Sequence, residues 1–504
     1  MTTAVVCDSC AAVVRRPTRQ ADELVRPLLP ALVPWLVNRR WFAHERGCLQ
    51  ALEPLGSSVL AGDPADPDAP VLLHLLLTAR HSGSGAPVRR YQLLIGIRRS
   101  LPAGLAAARI GIATGGEWDG RYLYEATEDP ELMSRLLERS AAGRAEGLQL
   151  WLSDGPLDLS GLVPRALSVE QSNTSVVYGD RLMFKLLRSP EPGSHPEVET
   201  LRGLTEVGSP RTSGLVGWLG TAGAGAEETV LGVLTEFLPA EGNGWELAVE
   251  QAADCLVGNC RVVPAIGGFT TDARALGEAV AELHTALTKA FGRARMESAE
   301  VLDQAGGMER RLKAAVRLVP DLEPYAGRIA TLYDDYAKVA LRGGGEHGQR
   351  IHGDLHLGQV LRGVDGWKII DFEGEPARPA AERGLPQPAL RDVAGMLRSF
   401  DYAAQQALAE VVRREEQGAA PPEGEPSAVR LRQSRRAYAW AVRNRRAFTA
   451  GYAAAGGMDP HCHPVALRAF EADKAVYEAV YEARHRPDWL PIPLAAIQRL
   501  VSGR

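Results

Sequence analysis

Cysteine is scarce, with six residues in a chain of 504. That is too few for a disulfide scaffold at this length. Cys7 and Cys10 form one CxxC. A zinc site needs four ligands and no second CxxC exists. A redox CxxC opens a helix after a strand, whereas this one lies within the first ten residues. His461-Cys462-His463, beside Gly456, Gly457 and Pro464, reads as loop. Long apolar runs are also missing. The most apolar, Val71-Leu72-Leu73-His74-Leu75-Leu76-Leu77, falls far short of the ~20 residues that cross a bilayer. The first residues lack a basic start and Asp8 interrupts their apolar stretch, so no signal peptide is expected. A cytoplasmic protein with reduced thiols is the expectation. Nor is there a surplus of positive charge. Lys and Arg total 57 against 62 Asp and Glu, a net charge of −5, which argues against nucleic-acid binding.

With 45% hydrophobic and 24% charged residues the chain has ample material for a core, and its length suggests several lobes. Leu24, Leu28, Leu32 and Leu36 recur at helical spacing. Strand-like runs follow at Ser57 to Ala61, Val71 to Leu77 and Tyr91 to Arg98, punctuated by Gly and Pro. Further strands are expected from Gly111, and a helix over Pro130 to Ala142. Ser168 to Glu170 and Ser175 to Tyr178 read as strands around a polar turn at Gln171 to Thr174. Gly179-Asp180 is a hairpin turn into the strand Arg181 to Leu187. From about Trp245 the pattern is helical, with amphipathic stretches at 275–290 and 325–341 and further helices at 433–455 and 463–484. A polar, Pro/Gly-rich loop interrupts them at Glu415 to Ser427. The β-rich then α-rich order predicts an α+β architecture of two lobes.

The chemistry concentrates between Arg350 and Pro379. Asp354 and Gln359 are five residues apart, and Asp371 ends the apolar strand Trp367-Lys368-Ile369-Ile370. Phosphoryl transfer needs a carboxylate to orient and deprotonate the acceptor hydroxyl, and hard oxygen ligands to hold Mg²⁺ against the phosphates. Asp-x4-Asn followed by a strand-end Asp is how kinase-like enzymes supply them. Here Gln359 replaces the Asn, and its amide oxygen is still a hard donor. The ATP phosphates also need a cation. Lys185, central in the apolar strand Met183 to Leu187, fits, because a strand lysine among large apolar residues demands a partner. Glu197 or Glu199, early in the next helix, can supply it, and Glu199 is preferred. Ser172, Asn173 and Thr174 lie where a kinase covers the phosphates, without the usual glycines. Leu234-Thr235-Glu236-Phe237-Leu238-Pro239 leads into the helical half where an adenine-binding hinge would lie, Glu236 and Leu238 supplying the backbone groups.

These segments resemble the actinobacterial maltokinases of the aminoglycoside-phosphotransferase-like, eukaryotic-kinase-like superfamily. The resemblance rests on R-I-H-G-D-L-H-L-G-Q-V-L-R and I-I-D-F-E-G-E-P, at 350 to 376. L-R-D-V-A-G-M-L-R-S-F-D-Y-A-A at 390 to 404 and D-K-A-V-Y-E-A-V-Y-E-A-R-H-R-P-D-W-L-P-I-P-L at 473 to 494 are more specific. R-R-W-F-A at 39 to 43 and the segment from Glu236 to Trp245 add to it. It implies a bilobal protein-kinase-like fold with an N-terminal cap at 1–95, an N-lobe at 96–240 and a helical C-lobe at 241–504. It also implies ATP-dependent phosphorylation of the anomeric hydroxyl of maltose, feeding glycogen-like α-glucan synthesis from trehalose, with a trehalose synthase as candidate partner. Carried over, Asp354 is the base, Gln359 and Asp371 hold Mg²⁺, Lys185 contacts the phosphates, and Glu373 is an additional metal or sugar contact. One departure is His44-Glu45-Arg46-Gly47, where maltokinases have Gly-Lys-Gly-Arg after R-W-F-A.

A disaccharide needs aromatic platforms beside the base. Tyr402, Tyr438, Trp440, Tyr477, Tyr481 and Trp489 are the candidates, with core packing the alternative for each. Asp392 should buttress the catalytic loop. The generic motif fits glucosamine, another amino sugar or an aminoglycoside equally well. An amino-sugar pocket should place acidic residues near Asp354, which maltose does not need. A catalytically silent kinase fold acting as a binding partner is the third reading, against which the intact Lys185, Asp354, Gln359 and Asp371 stand.

Overall fold

The computed structural model describes residues 23–42, 49–62, 66, 68–81, 88–143, 145, 147–167, 172–221, 228–258, 268–342, 346–375, 380–417 and 426–502. Cys7, Cys10, His44 to Gly47, Ser168 to Gln171 and most of the loop expected at 415–427 lie outside them. The chain divides into two compact units, one of Met1–Val198 with Leu215–Phe237, the other of Glu199–Gly214 with Leu238–Arg504.

The first unit holds two antiparallel sheets. The N-terminal sheet has the order β1-β2-β3-β5-β4, from β1 (Leu49–Ala61), β2 (Val71–His81), β3 (Arg89–Arg98), β4 (Arg109–Ile112) and β5 (Tyr122–Glu125). The continuous apolar run of β2 is explained by burial on both faces. Leu73, Leu75 and Leu77 share a core with Leu32 and Leu36 of helix α1 (Leu29–Leu36). Leu72, on the opposite face, joins a second core with Leu132 and Leu136 of helix α2 (Pro130–Ala141). The sheet runs to Glu125, past the boundary expected at residue 95, because β5 returns to pair with β3.

The second sheet has the order β6-β10-β11-β9-β8-β7, from β6 (Leu148–Leu152), β7 (Pro164–Ala166), β8 (Asn173–Tyr178), β9 (Leu182–Leu187), β10 (Leu215–Thr221) and β11 (Val230–Glu236). Gly179 and Asp180 turn β8 into β9 with φ of 55° and 51°, the left-handed pair that a tight hairpin requires. The second core continues into this sheet through Val176, Tyr178 and Phe184. Buried polar contacts join the two sheets. His74 bonds Gln92 at 3.0 Å, and the Gln92 amide donates to the carbonyl of Leu187, at 2.5 Å, and to that of Leu231. Burial, against that hydrogen bond, pulls the His74 pKa down to about 4, so the ring is neutral at physiological pH. The Arg-Trp-Phe segment has a similar role. The Arg188 guanidinium lies over the Trp41 ring at 4.8 Å and pairs with Glu125 at 3.1 Å, while Phe42 packs on Tyr91.

The second unit is mostly helical. Helices α4 (Gly244–Leu256), α5 (Phe269–Phe291), α8 (Leu390–Glu416) and α9 (Pro426–Ala454) pack together, and α8 also packs on α10 (Pro464–His485), which meets α6 (Ser298–Leu318), α7 (Glu323–Arg342) and α11 (Pro491–Ser502). Helix α3 (Pro196–Glu206) begins in the first unit and ends in the second. A small sheet of β12 (Gly242–Asn243), β15 (Val360–Gly363) and β16 (Gly366–Ile369) carries the segment that the sequence singles out, and β13 (Arg293–Met296) pairs with β14 (Glu346–Gln349). Among the described residues no helix is long and apolar enough to cross a membrane.

Candidate active site

The loop between β14 and β15 holds Asp354, and buried side chains set its backbone. The Asp392 carboxylate, from the start of α8, accepts the amide N–H of His352 at 2.7 Å and of Gly353 at 2.9 Å, and faces His284 Nε2 at 3.1 Å. Burial disfavours that charge. The His284 hydrogen bond and nearby His352 outweigh it, so Asp392 stays below the usual carboxylate range. Its buttressing part is as expected. Gly353 has φ +89°, and a Cβ there would lie 3.3 Å from the Gly374 backbone. His352 Nε2 donates to the Ile370 carbonyl at 2.9 Å, because a carbonyl can only accept. That leaves Nδ1 to accept the Asp354 N–H at 3.3 Å. Asp392→Ala should therefore orphan two buried N–H groups and cost on the order of 3 kcal/mol. A urea titration of the variant measures it.

The loop after β16 places Asp371. Its φ is +69°, uncommon for a residue with a side chain. Such strain persists where the surroundings enforce it, often at functional sites. Gln359 Nε2 donates to Asp371 Oδ2 at 2.8 Å, and the Ile370 N–H donates to the Gln359 carbonyl at 3.0 Å. The two metal candidates are thus adjacent. A carboxylate, with an amide that presents oxygen when turned over, is a donor set suited to Mg²⁺. Glu373 lies half-buried on the following turn.

Asp354 Oδ1 accepts from Lys474 Nζ at 2.8 Å. Sequence reasoning missed this residue. It comes from α10, 120 positions away. Burial alone would raise the Asp354 pKa. Lys474, then His356 and His352, outweigh that and hold it below the ordinary carboxylate value, so the group is ionised at neutral pH. Asp354 and Lys474 line one cavity with Glu375, Asp473, Arg311 and Tyr477. Arg311 grips Asp473 through two bonds, of 3.2 and 2.7 Å, and Arg391 adds a third at 3.2 Å. We expect Lys474→Met to leave Asp354 without its largest opposing cation, so its pKa rises. The acid limb of the kcat/KM profile should then move to higher pH, while Lys474→Arg keeps it in place. A pH–rate series on both variants checks this.

In the first unit, Lys185 Nζ lies 3.0 Å from Glu197 Oε2, both largely buried. The expected partner, Glu199, is instead exposed and bonds Arg350 at 3.1 Å within the second unit. The reason is helix phase. Glu197 lies on the buried stripe with Thr200, Leu201 and Leu204, and Glu199 is about 200° away round the axis. The phosphate-covering candidates also differ from expectation. Asn173 and Thr174 begin β8, and their side-chain oxygens accept from Arg188 N at 3.3 Å and Nε at 2.9 Å. Ser172 is exposed beside them. Glu236 ends β11, the Phe237 N–H donates to the Arg181 carbonyl at 2.9 Å, and the two units divide between Phe237 and Leu238.

Of the aromatic candidates, only Tyr477 lines the cavity at Asp354, and Lys474 Nζ lies 5.1 Å from its ring centroid. Trp440 is core, packed on Phe269 and Phe400. Tyr402 stacks on Trp489, and Tyr438 and Tyr481 are exposed. His461-Cys462-His463 lies at a short helical turn capped by Asp459, and no group of three metal-ligating side chains forms there among the described residues.

A buttressed aspartate and a strained metal-type aspartate in the second unit, and in the first a strand lysine held by a helix glutamate, are the residue types of a phosphotransferase of the kinase-like class. Residues 35–129 match the Maltokinase N-terminal cap domain, and residues 268–455 the Phosphotransferase enzyme family. A glucosamine kinase of Streptacidiphilus jiangxiensis is 30% identical over 355 residues, 68% of this chain and 74% of that one. A glucosamine kinase of Mycolicibacterium smegmatis is 31% identical over 352 residues, 67% of this chain and 79% of that one. The fold is shared with a glucosamine kinase solved with glucosamine, ADP and inorganic phosphate, at TM-score 0.59 and 23% identity, over 93% of this chain and 96% of that one. The chain belongs to this phosphotransferase family and carries its maltokinase-type cap.

Proposed function

We propose that the protein transfers the γ-phosphoryl group of ATP to a hydroxyl of an amino sugar, glucosamine being the acceptor best supported. The observation that carries this reading is the likeness to two glucosamine kinases, at 30% and 31% identity over about two thirds of the chain. In the cavity at Asp354 the carboxylate of Asp473 is already held by Arg311 and Arg391, so Glu375 is the lining acid that can serve a protonated amine, which maltose lacks. The names of the two relatives support the same acceptor.

In this mechanism Asp354 orients the acceptor hydroxyl and takes its proton. Its Oδ1 is occupied by Lys474, so Oδ2 is the oxygen left for the substrate. Asp371 and Gln359, with Glu373 nearby, would hold Mg²⁺, which when bound neutralises charge on the β- and γ-phosphates. Lys185, fixed by Glu197, serves the phosphates. Glu236 and Leu238 border the segment proposed to receive adenine.

Maltose is the second reading, and the match of residues 35–129 to the maltokinase cap favours it. Phosphate would then go to the anomeric oxygen, and the trehalose synthase partner belongs with that alternative. The two are separated by kcat/KM for glucosamine, maltose, glucose and kanamycin with ATP and Mg²⁺. We expect glucosamine to exceed maltose by roughly tenfold or more, the value of one charge-assisted contact. The reverse order would assign maltose.

A further inference from the structure

A second cavity, of about 310 Å³, opens among α8, α9, α10 and α11, and shares no lining residue with the one at Asp354. Helix periodicity separates them. Phe470, Asp473, Lys474 and Tyr477 of α10 turn to Asp354, while Arg468 and Glu471 of the same helix line the second cavity.

Four guanidiniums line it: Arg398, Arg445, Arg468 and Arg499. The compensating acids are fewer. A single oxygen, Asp401 Oδ2, receives Arg398 at 2.8 Å, Arg445 at 3.4 Å and Arg499 at 2.7 Å. Glu471 takes Arg445 at 2.8 Å, and Glu478, outside the lining, takes Arg398 at 2.8 Å. Arg468 has no carboxylate within ion-pair distance among the described residues, and its Nη2 donates to the Leu500 carbonyl. Four cations thus share three carboxylates, leaving a positive excess around a hollow large enough for a small molecule. In a partly buried site that excess is costly unless an anion enters.

The hollow has a neighbour. A cavity of about 230 Å³ shares Asp401, Tyr438 and Arg499 with it, and is otherwise lined by Ala437, Ala441 and Ile492 among other mostly small or apolar residues. Arg499 stands at the junction, 5.8 Å from the centroid of the half-exposed Tyr438 ring. A charged compartment therefore adjoins an apolar one with an aromatic wall.

We propose that this pair of cavities is a second ligand site, separate from phosphotransfer, for a small phosphomonoester whose body is flat or apolar. The phosphate lies against Arg468 and Arg499, and the body enters the compartment beside Tyr438.

Titration calorimetry on the full chain, saturated with ADP and Mg²⁺ to fill the nucleotide site, tests it with phenyl phosphate, inorganic phosphate and phenol as probes. Phenyl phosphate should bind once per chain, several-fold tighter than inorganic phosphate, and phenol should not bind. Arg468→Gln should weaken phenyl phosphate roughly tenfold or more, and Arg468→Lys should retain most of the affinity. Arg499→Gln provides an independent loss, and thermal melting confirms that each variant is folded. The proposal is overturned if phenyl phosphate does not bind the ADP-saturated chain, or if Arg468→Gln and Arg499→Gln both bind it as tightly as the parent.

Discussion

Asp354→Asn should lower kcat by roughly 10² to 10⁴-fold while ATP binding is largely kept. The substitution preserves size and hydrogen bonding but removes the proton acceptor. The loop itself should be undisturbed, because its amides are held from outside by Asp392, at 2.7 and 2.9 Å. The Lys474 ammonium, 2.8 Å away, then faces a neutral amide. That leaves a partly buried cation without its closest counter-charge, so a loss of stability of about 1–2 kcal/mol should accompany the loss of rate. The double variant Asp354→Asn/Lys474→Met should recover much of that stability without recovering activity. Turnover comparable to the parent in Asp354→Asn would remove this residue from the mechanism.

The second large effect is expected at Asp371. Asp371→Asn keeps the shape and suits the backbone, since asparagine tolerates a φ of +69° better than most residues. The fold should survive, and the change isolates the charge. We expect a loss of about 4 kcal/mol in transition-state stabilisation, roughly 10³-fold in kcat, because the phosphate charge is no longer compensated. Gln359→Ala should be milder and partly rescued by raised Mg²⁺, since it removes a neutral donor next to Asp371. A larger loss at Gln359 than at Asp371 in steady-state assays would reverse the two roles.

What was legible in the sequence was local. The hairpin at Gly179-Asp180, the loop at Asp354 and the strand-end position of Asp371 are each specified by residues a few positions apart, so spacing alone points to them. Lys474 was not legible as a partner of Asp354: the segment from Asp473 to Leu494 stood out, but nothing in it says which side chain reaches the carboxylate. Its meaning depends on a contact spanning 120 residues. Glu197 was within reach. It falls at helical spacing with Leu201 and Leu204, which marks the buried face, and that stripe was a better guide than distance from the helix start. The first sheet runs past residue 95 because β5 pairs with β3 from beyond it, a pairing set by tertiary packing. The contacts of Asn173 and Thr174 with Arg188, just past the end of the adjacent strand, are likewise invisible to spacing along the chain.

The central claim is tested most directly by following the γ-phosphoryl group of labelled ATP in the presence of Mg²⁺ and glucosamine. The account predicts that label moves to an oxygen of the sugar, with one ADP released per sugar phosphorylated, and that Asp354→Asn suppresses this transfer. Label recovered only as inorganic phosphate, or not released from ATP with any sugar offered, would contradict it.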